Sequence, residues 1–311
     1  MTFRVTFLGT SGAVPTPTRN PIGIFVNREG DGILFDCGEG IQRQMMRFGT
    51  GFSFDHVCIT HLHGDHYYGL PGLLETLEFT ERTSPLTIFV PRGTVDRIRK
   101  LVRVTIGETT FPVNVEPTAP GDVVIRSESY EVRAYKTDHD ARSVGYVLKE
   151  DVRPGRFDRE RALDLGVPEG PRFGELQSGS SVTLADGTVV EPDDVLGPPR
   201  PGRHLVYTGD SRPTQATVEA AEGADLLIHE ATFGDDRVDR AEETAHSTAR
   251  QAGVVANRAG ARRLAIVHIS SRYAGQRERL HREASEAFGG ECFLPDDGDQ
   301  VSIPFPEEPS G

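Results

Sequence analysis

Lysine is almost missing from this 311-residue chain: Lys100, Lys136 and Lys149 stand beside 31 arginines. Acids outnumber bases 47 to 34, for a net charge of −13. Such a chain lacks the basic surface that holds polyanions non-specifically, although a local arginine-lined site is compatible with that charge. Cysteine is scarce too. Cys37, Cys58 and Cys292 are odd in number and show no CxxC spacing, and the first two sit in apolar strand contexts. That predicts buried thiols in a reducing cytosol and not disulfides. No apolar run reaches membrane-spanning length, and Met1-Thr2-Phe3-Arg4-Val5 leads directly into a strand. The expectation is a cytoplasmic chain with no signal peptide and no membrane partner. No repeat of solenoid length and no Ser/Gly linker interrupts the βα alternation, so one domain over 1–311 is expected.

What the chain does have is His61-Leu62-His63-Gly64-Asp65-His66, four metal-type ligands in six residues, directly after the apolar strand signal Val57-Cys58-Ile59-Thr60. His61 and His63 are spaced to clasp one ion, while Asp65 and His66 can face a second. Imidazole with carboxylate suits Zn²⁺ and similar borderline ions, not Ca²⁺ or Mg²⁺. Further candidates stand where strand-like segments end: His139, Asp210 and His268. Singly, each is as well read as a solvated or capping residue. Together with the first motif they make five His and two Asp, enough for two four- or five-coordinate ions if one carboxylate bridges. That is the stoichiometry of a two-metal hydrolase.

Periodicity places strands at 3–8, 22–27, 32–36, 57–60, 86–90, 130–135, 144–148, 204–208, 225–229 and 263–268. It places helices at 41–48, 70–79, 95–104, 214–222, 245–259 and 275–288. Two mixed β-sheets flanked by helices, an αββα sandwich, satisfy this order better than one doubly wound sheet. Residues 151–203 break the pattern, being rich in Pro, Gly and charge with one short helix signal at 158–165. An insertion of that length is usually a functional arm or a disordered loop.

The motifs identify the chain more closely. HLHGDH followed by a later His, a Gly-Asp and a last His resembles the metallo-β-lactamase superfamily. Phe7-Leu8-Gly9-Thr10, Leu34-Phe35-Asp36-Cys37-Gly38-Glu39, Gly69-Leu70-Pro71-Gly72-Leu73-Leu74 and Tyr207-Thr208-Gly209-Asp210-Ser211-Arg212 narrow the resemblance to ribonuclease Z. So do His229-Glu230-Ala231-Thr232-Phe233, His246-Ser247-Thr248 and His268-Ile269-Ser270-Ser271-Arg272-Tyr273, and the likeness spans about residues 2–305.

The resemblance implies the αββα fold and a Zn²⁺-dependent endoribonuclease that trims the 3′ trailer from precursor tRNA. It implies a cut after the discriminator nucleotide, leaving a 3′-hydroxyl on the tRNA and a 5′-phosphate on the trailer. Two zinc ions per subunit are implied, one on His61, His63 and His139, the other on Asp65, His66 and His268, with Asp210 and a water bridging them. Asp65 would also act as general base, and His246, oriented by Glu230, would protonate the leaving oxygen. His229 would stand behind a ligand. Arg272 would meet a phosphate. The loop carrying Arg19 and Asn20 would lie near the cut, with Pro17 where the family usually has lysine. The insertion 151–203 would be a substrate-binding arm gripping the tRNA elbow, its Gly170-Pro171 matching a family signature without the usual tip lysines. A homodimer is implied, and the apolar helix signal at 70–79 is compatible with an interface.

Other hydrolases of the superfamily, including a general phosphodiesterase, remain as alternatives, as does a non-catalytic RNA-binding subunit. His63 stands where di-iron relatives resemble one another in using Glu. Lactam or thioester hydrolysis leaves Glu230, His246 and the insertion without a purpose. The acidic, lysine-poor composition is similar to that of proteins from salt-loving archaea; a plainly acidic cytosolic protein would carry the same net charge.

Overall fold

Side-chain alternation builds two sheets in the computed structural model, which describes residues 2–107 and 110–306. In the strand Phe3–Gly9, Phe3, Val5 and Phe7 enter a central apolar layer while Leu8 points the other way. Ile24 and Val26 against Phe25, and Ile33 and Phe35 against Leu34, repeat the pattern. The first sheet runs, edge to edge, Gln300–Ser302, Phe3–Gly9, Gly23–Arg28, Asp31–Phe35, His56–Cys58, Leu86–Pro91, Val113–Thr118.

The second sheet runs Glu291–Phe293, Arg263–Val267, Leu226–Glu230, His204–Tyr207, Val144–Glu150, Tyr130–Lys136, Val123–Arg126. Leu205, Tyr207, Leu226, Ile228, Ala265 and Val267 share the central layer with the first sheet, while Val206, Leu227, Leu264 and Ile266 face helices outside. Each sheet thus packs on the other through one face and on helices through its opposite face, giving the αββα sandwich.

Within the two large sheets, the four strands that periodicity does not predict, Val113–Thr118, Val123–Arg126, Glu291–Phe293 and Gln300–Ser302, are the outermost strands of a sheet. Edges are half solvated and carry polar residues, so they lack a clean apolar alternation. Two helices start later than expected. One begins at Ala249 and not at 245, because Thr248 and Gln251 form a capping box there. The other begins at Arg277. The Leu70–Phe79 helix turns its apolar face inward: Leu70, Leu73, Leu74 and Leu77 are buried under the first sheet, and only Phe79 is left 89% exposed.

The described residues divide into two compact units, one built from 2–149 and 204–304, the other from 150–203 with Phe305 and Pro306. The second unit holds more structure than the single helix expected. Asp158 caps the helix Arg159–Asp164, a second helix spans Pro171–Gln177, and Val182–Thr183 pairs with Val189–Val190. Ala162, Val167, Leu176, Val182, Val190 and Val195 form its own small core. Elements this short carry one or two apolar residues each, too few for a period to register.

Candidate metal centre

Parallel strands place their C-terminal ends at one edge of a sheet, so loops leaving them converge. His61 to His66 follow the strand His56–Cys58. Asp210 and His268 follow the parallel strands His204–Tyr207 and Arg263–Val267, and Glu230 ends the strand between them. His139 follows Tyr130–Lys136.

These loops bring all seven metal-type candidates together. His63 Nδ1 lies 3.1 Å from both His61 Nε2 and His139 Nε2. Asp210 Oδ2 lies 3.5 Å from His61 Nε2, 3.9 Å from His139 Nε2 and 3.3 Å from His66 Nε2. On the other side, His268 Nε2 lies 3.1 Å from Asp65 Oδ2, 3.3 Å from His66 Nε2 and 3.3 Å from Asp210 Oδ1. Asp210 therefore stands between two ligand groups, one oxygen towards His61, His139 and His66, the other towards His268. Ligands of a tetrahedral zinc at about 2.0–2.1 Å stand roughly 3.3 Å apart, the spacing seen here.

The donor set fits a cation for a second reason. Asp210 is 2% exposed, and its Oδ1 has no hydrogen-bond partner among the described residues. An orphaned buried carboxylate oxygen facing imidazole nitrogens is what a metal ion satisfies. Burial, with the neighbouring His66 and His139, pushes His61 and His63 down, which favours the neutral ring that a cation requires. For His66 burial also opposes charge, but Asp210, Asp36 and Asp65 outweigh it and favour positive charge at that point.

Behind the ligands stands a layer of orienting groups. Asp36, wholly buried, accepts from His66 Nδ1 at 2.8 Å, Tyr207 Oη at 2.7 Å and the Thr60 amide at 2.7 Å. His139 Nδ1 donates to the Ala245 carbonyl at 2.9 Å. The Thr232 hydroxyl donates to Glu230 Oε2 at 2.7 Å and accepts from His268 Nδ1 at 2.9 Å, leaving His268 Nε2 a lone pair for the centre. The Ala13 amide donates to Asp65 Oδ2 at 2.6 Å. Ala13, Asp36, Ala245 and His268 all have positive φ, four of the six non-glycine residues that do among the described residues. Strain of this kind gathers where tertiary contacts hold a functional group in place. Gly12 must lack a side chain, since a Cβ there would sit 2.6 Å from His268 Nδ1.

His246 approaches from the same side. Its Nδ1 lies 2.9 Å from Glu230 Oε1, and its ring stacks 5.6 Å from His268. Burial alone would push His246 down, but the Glu230 carboxylate raises it to about 9. Glu230 also accepts from the amides of Ser211 and Thr232. His229 Nδ1 donates to the Glu230 carbonyl at 2.7 Å.

The remaining sequence candidates have other surroundings. Arg19 is buried and committed to Thr10, to the Pro295 carbonyl at 3.0 Å and to Asp296 at 2.8 Å. Asn20 holds the Glu39 carbonyl at 2.7 Å through its side chain and Asp297 at 2.6 Å through its amide. Both brace the loop that begins at Ala13. Arg272 is exposed and pairs with no carboxylate among the described residues. Gly170, at φ 138°, precedes Pro171 at the start of the second unit's second helix.

Asp36 and Thr232, quoted above only within motifs, receive no role of their own from the sequence, and neither does Asp140, whose Oδ1 lies 3.2 Å from His139 Nε2. Asp36 carries the same signal that found Asp210, an acid ending an apolar strand. Thr232 carries none.

The fold and this centre define a class, the metal-dependent hydrolases of metallo-β-lactamase fold. Residues 3–152 match the family described as anti-Pycsar protein Apyc1, and residues 195–269 match the β-lactamase superfamily domain. Ribonuclease Z of Natronomonas pharaonis is 61% identical, covering 99% of this chain and 100% of its own length. Ribonuclease Z of Haloferax volcanii is 52% identical, covering 100% and 98%. The human tRNase Z short form aligns at TM-score 0.68 with 29% identity, over 97% of this chain and all of its own. The metallo-β-lactamase fold protein YhfI of Bacillus subtilis, 20% identical at TM-score 0.70 over 97% and 100%, shares the fold. The chain belongs to the ribonuclease Z family.

Proposed function

We propose that this chain is a zinc-dependent endoribonuclease that removes the 3′ trailer from precursor tRNA. It cuts after the discriminator nucleotide and leaves a 3′-hydroxyl on the tRNA and a 5′-phosphate on the trailer. The observation that carries the reading is His246, poised by Glu230 beside the ligand cluster: a phosphodiester leaving group is an alkoxide that needs a proton. Two ions would be held, one by His61, His63 and His139, the other by Asp65, His66 and His268, with Asp210 between. When bound, such ions acidify a water and neutralise charge developing on the phosphate. Asp65 takes the proton of the attacking water. His246 donates its proton to the ribose 3′-oxygen, and Glu230 holds the ring charged and aimed until then. Arg272, exposed and with no carboxylate partner among the described residues, meets a phosphate beside the cut. Arg19 and Asn20 act on the substrate through the loop they brace.

The unit 150–203 is the arm that takes the tRNA elbow, with Gly170-Pro171 at the head of its second helix. Exposed Met46, Tyr68 and Phe79 on neighbouring helical segments support a homodimer. No helix among the described residues is long and apolar enough to cross a membrane. A cytoplasmic enzyme of a salt-loving archaeon accounts for the acidic, lysine-poor composition.

The test is cleavage of a 3′-extended precursor tRNA mapped to the nucleotide, with wild type and Asp65→Ala side by side. A single cut after the discriminator base, abolished in the mutant, is expected. Scattered cuts alongside robust hydrolysis of a small phosphodiester would make the chain a general phosphodiesterase instead.

A further inference from the structure

The second compact unit is not one stretch of sequence. It comprises 150–203 and also Phe305 and Pro306, the first of which stands three residues after the last strand of the first sheet. Glu150 and Arg203, the residue just before the insertion and its last residue, form a buried pair. Arg203 is 1% exposed and donates from Nε to Glu150 Oε2 at 2.7 Å, from Nη2 to Oε1 at 2.6 Å and from its amide to Oε2 at 3.0 Å. Burying such charges is costly unless both partners are fully engaged, and this fork-on-carboxylate geometry engages them. The ring of Phe305 completes the group. Its centroid lies 4.2 Å from the Arg203 guanidinium carbon and 3.6 Å from that of Arg153. Arg153 in turn donates to the Pro201 carbonyl and pairs its backbone with Arg200. Residues from both ends of the insertion are thereby gathered around one aromatic side chain from the C-terminal segment.

We propose that Glu150, Arg203, Arg153 and Phe305 form a clasp that makes Phe305, from beyond the last strand, a working part of the RNA-binding arm. The kinetic side of this rests on the function proposed above. The arm's own core is six fully buried residues of small or medium size, with Phe157, Leu165, Phe173 and Leu184 packed against them only partly buried. A unit with so little buried apolar surface opens easily, and ordering it would fall on substrate binding. The clasp closes the arm at its root before RNA arrives, and a guanidinium against a ring adds cation–π attraction that desolvation strengthens. All four are positioning residues, outside the ligand set and outside the His246–Glu230 pair.

Phe305→Ala and the ring-preserving Phe305→Tyr, each in the full zinc-loaded chain, test the clasp through three readouts. These are KM and kcat on a 3′-extended precursor tRNA, hydrolysis of bis(p-nitrophenyl) phosphate, and tryptic cleavage within 151–203. Phe305→Ala is expected to raise KM about tenfold, leave kcat and small-diester hydrolysis unchanged, and speed arm proteolysis. Phe305→Tyr is expected to restore all three. An unchanged KM, or small-diester hydrolysis falling in parallel, would overturn the proposal. If the wild type fails to cut the precursor at all, the functional reading falls, and the proteolysis comparison alone decides the clasp: equal rates in wild type and Phe305→Ala would refute it.

Discussion

Between His66 and Tyr207 lies one carboxylate that reaches no ion position. Asp36 holds the Nδ1–H of His66 at 2.8 Å and so turns Nε2 towards Asp210 and His268. Asn at this position keeps the size but sets an NH2 among donors, and either orientation of the amide leaves one of them unpaired. Asp36→Asn is therefore expected to weaken zinc binding about 10- to 100-fold, read by competition with a chromophoric chelator. Unchanged affinity would show that the ring is held by other contacts.

His204 makes a pH-dependent prediction away from the centre. Burial, with Lys149 paired across the ladder, pushes its imidazole down to about 4. Its Nε2 is buried without a partner among the described residues. The folded form therefore binds this proton less readily than the unfolded chain, whose histidine titrates near 6.5. The stability contributed is complete above about pH 6.5 and lost as pH falls towards about 4, to the extent of roughly 3 kcal/mol. Denaturant titrations across this range should show the loss in wild type, and His204→Phe should flatten it. Parallel pH profiles would refute the assignment.

At the scale of elements, the helices Ala249–Ala259 and Arg277–Phe288 meet so closely that Gly253 has no room for a methyl group. A Cβ there would sit 2.3 Å from the Ala284 carbonyl oxygen and 2.9 Å from Ala287 Cβ. Gly to Ala in an open helix stabilises by about 0.4–1 kcal/mol. Gly253→Ala should instead destabilise by about 1–3 kcal/mol through overpacking, seen as a lower midpoint in urea; a raised midpoint would mean that the helices separate freely. The same helix shows where local pattern misleads. Its apolar period runs back to 245, yet Ala245 takes φ 57° and the helix starts four residues later. The Ala245 carbonyl is thereby free to hold His139, and His246 is free to meet Glu230.

On the scale of the whole molecule, two candidate ligand groups join loops from both sheets, with Asp210 between them. An ion bound there stabilises only the folded state. Chelation is expected to abolish precursor cleavage and lower the thermal midpoint, and added Zn²⁺ should restore both; a midpoint indifferent to metal would contradict this. With a net charge of −13 and lysine nearly absent, cleavage should persist in molar KCl although ordinary phosphate contacts weaken with salt. Best activity in dilute buffer, with none above moderate salt, would remove the halophilic reading.

The ligand loop His61–His66, the interior strands and the αββα order were legible in the chain itself, because each is written within a few consecutive residues as a ligand spacing or an apolar period. His139, Asp210 and His268 were visible only as polar residues ending apolar strands, a signal that Asp36 shares and that cannot rank them. The edge strands, the late start of the 249–259 helix and the partners behind each ligand were decided by the tertiary structure. Asp36 meets His66 from 30 residues away and Tyr207 from 171, and Thr232 reaches His268 across 36. Such pairings depend on how strands of two sheets are registered and packed on one another, and no local spacing records that.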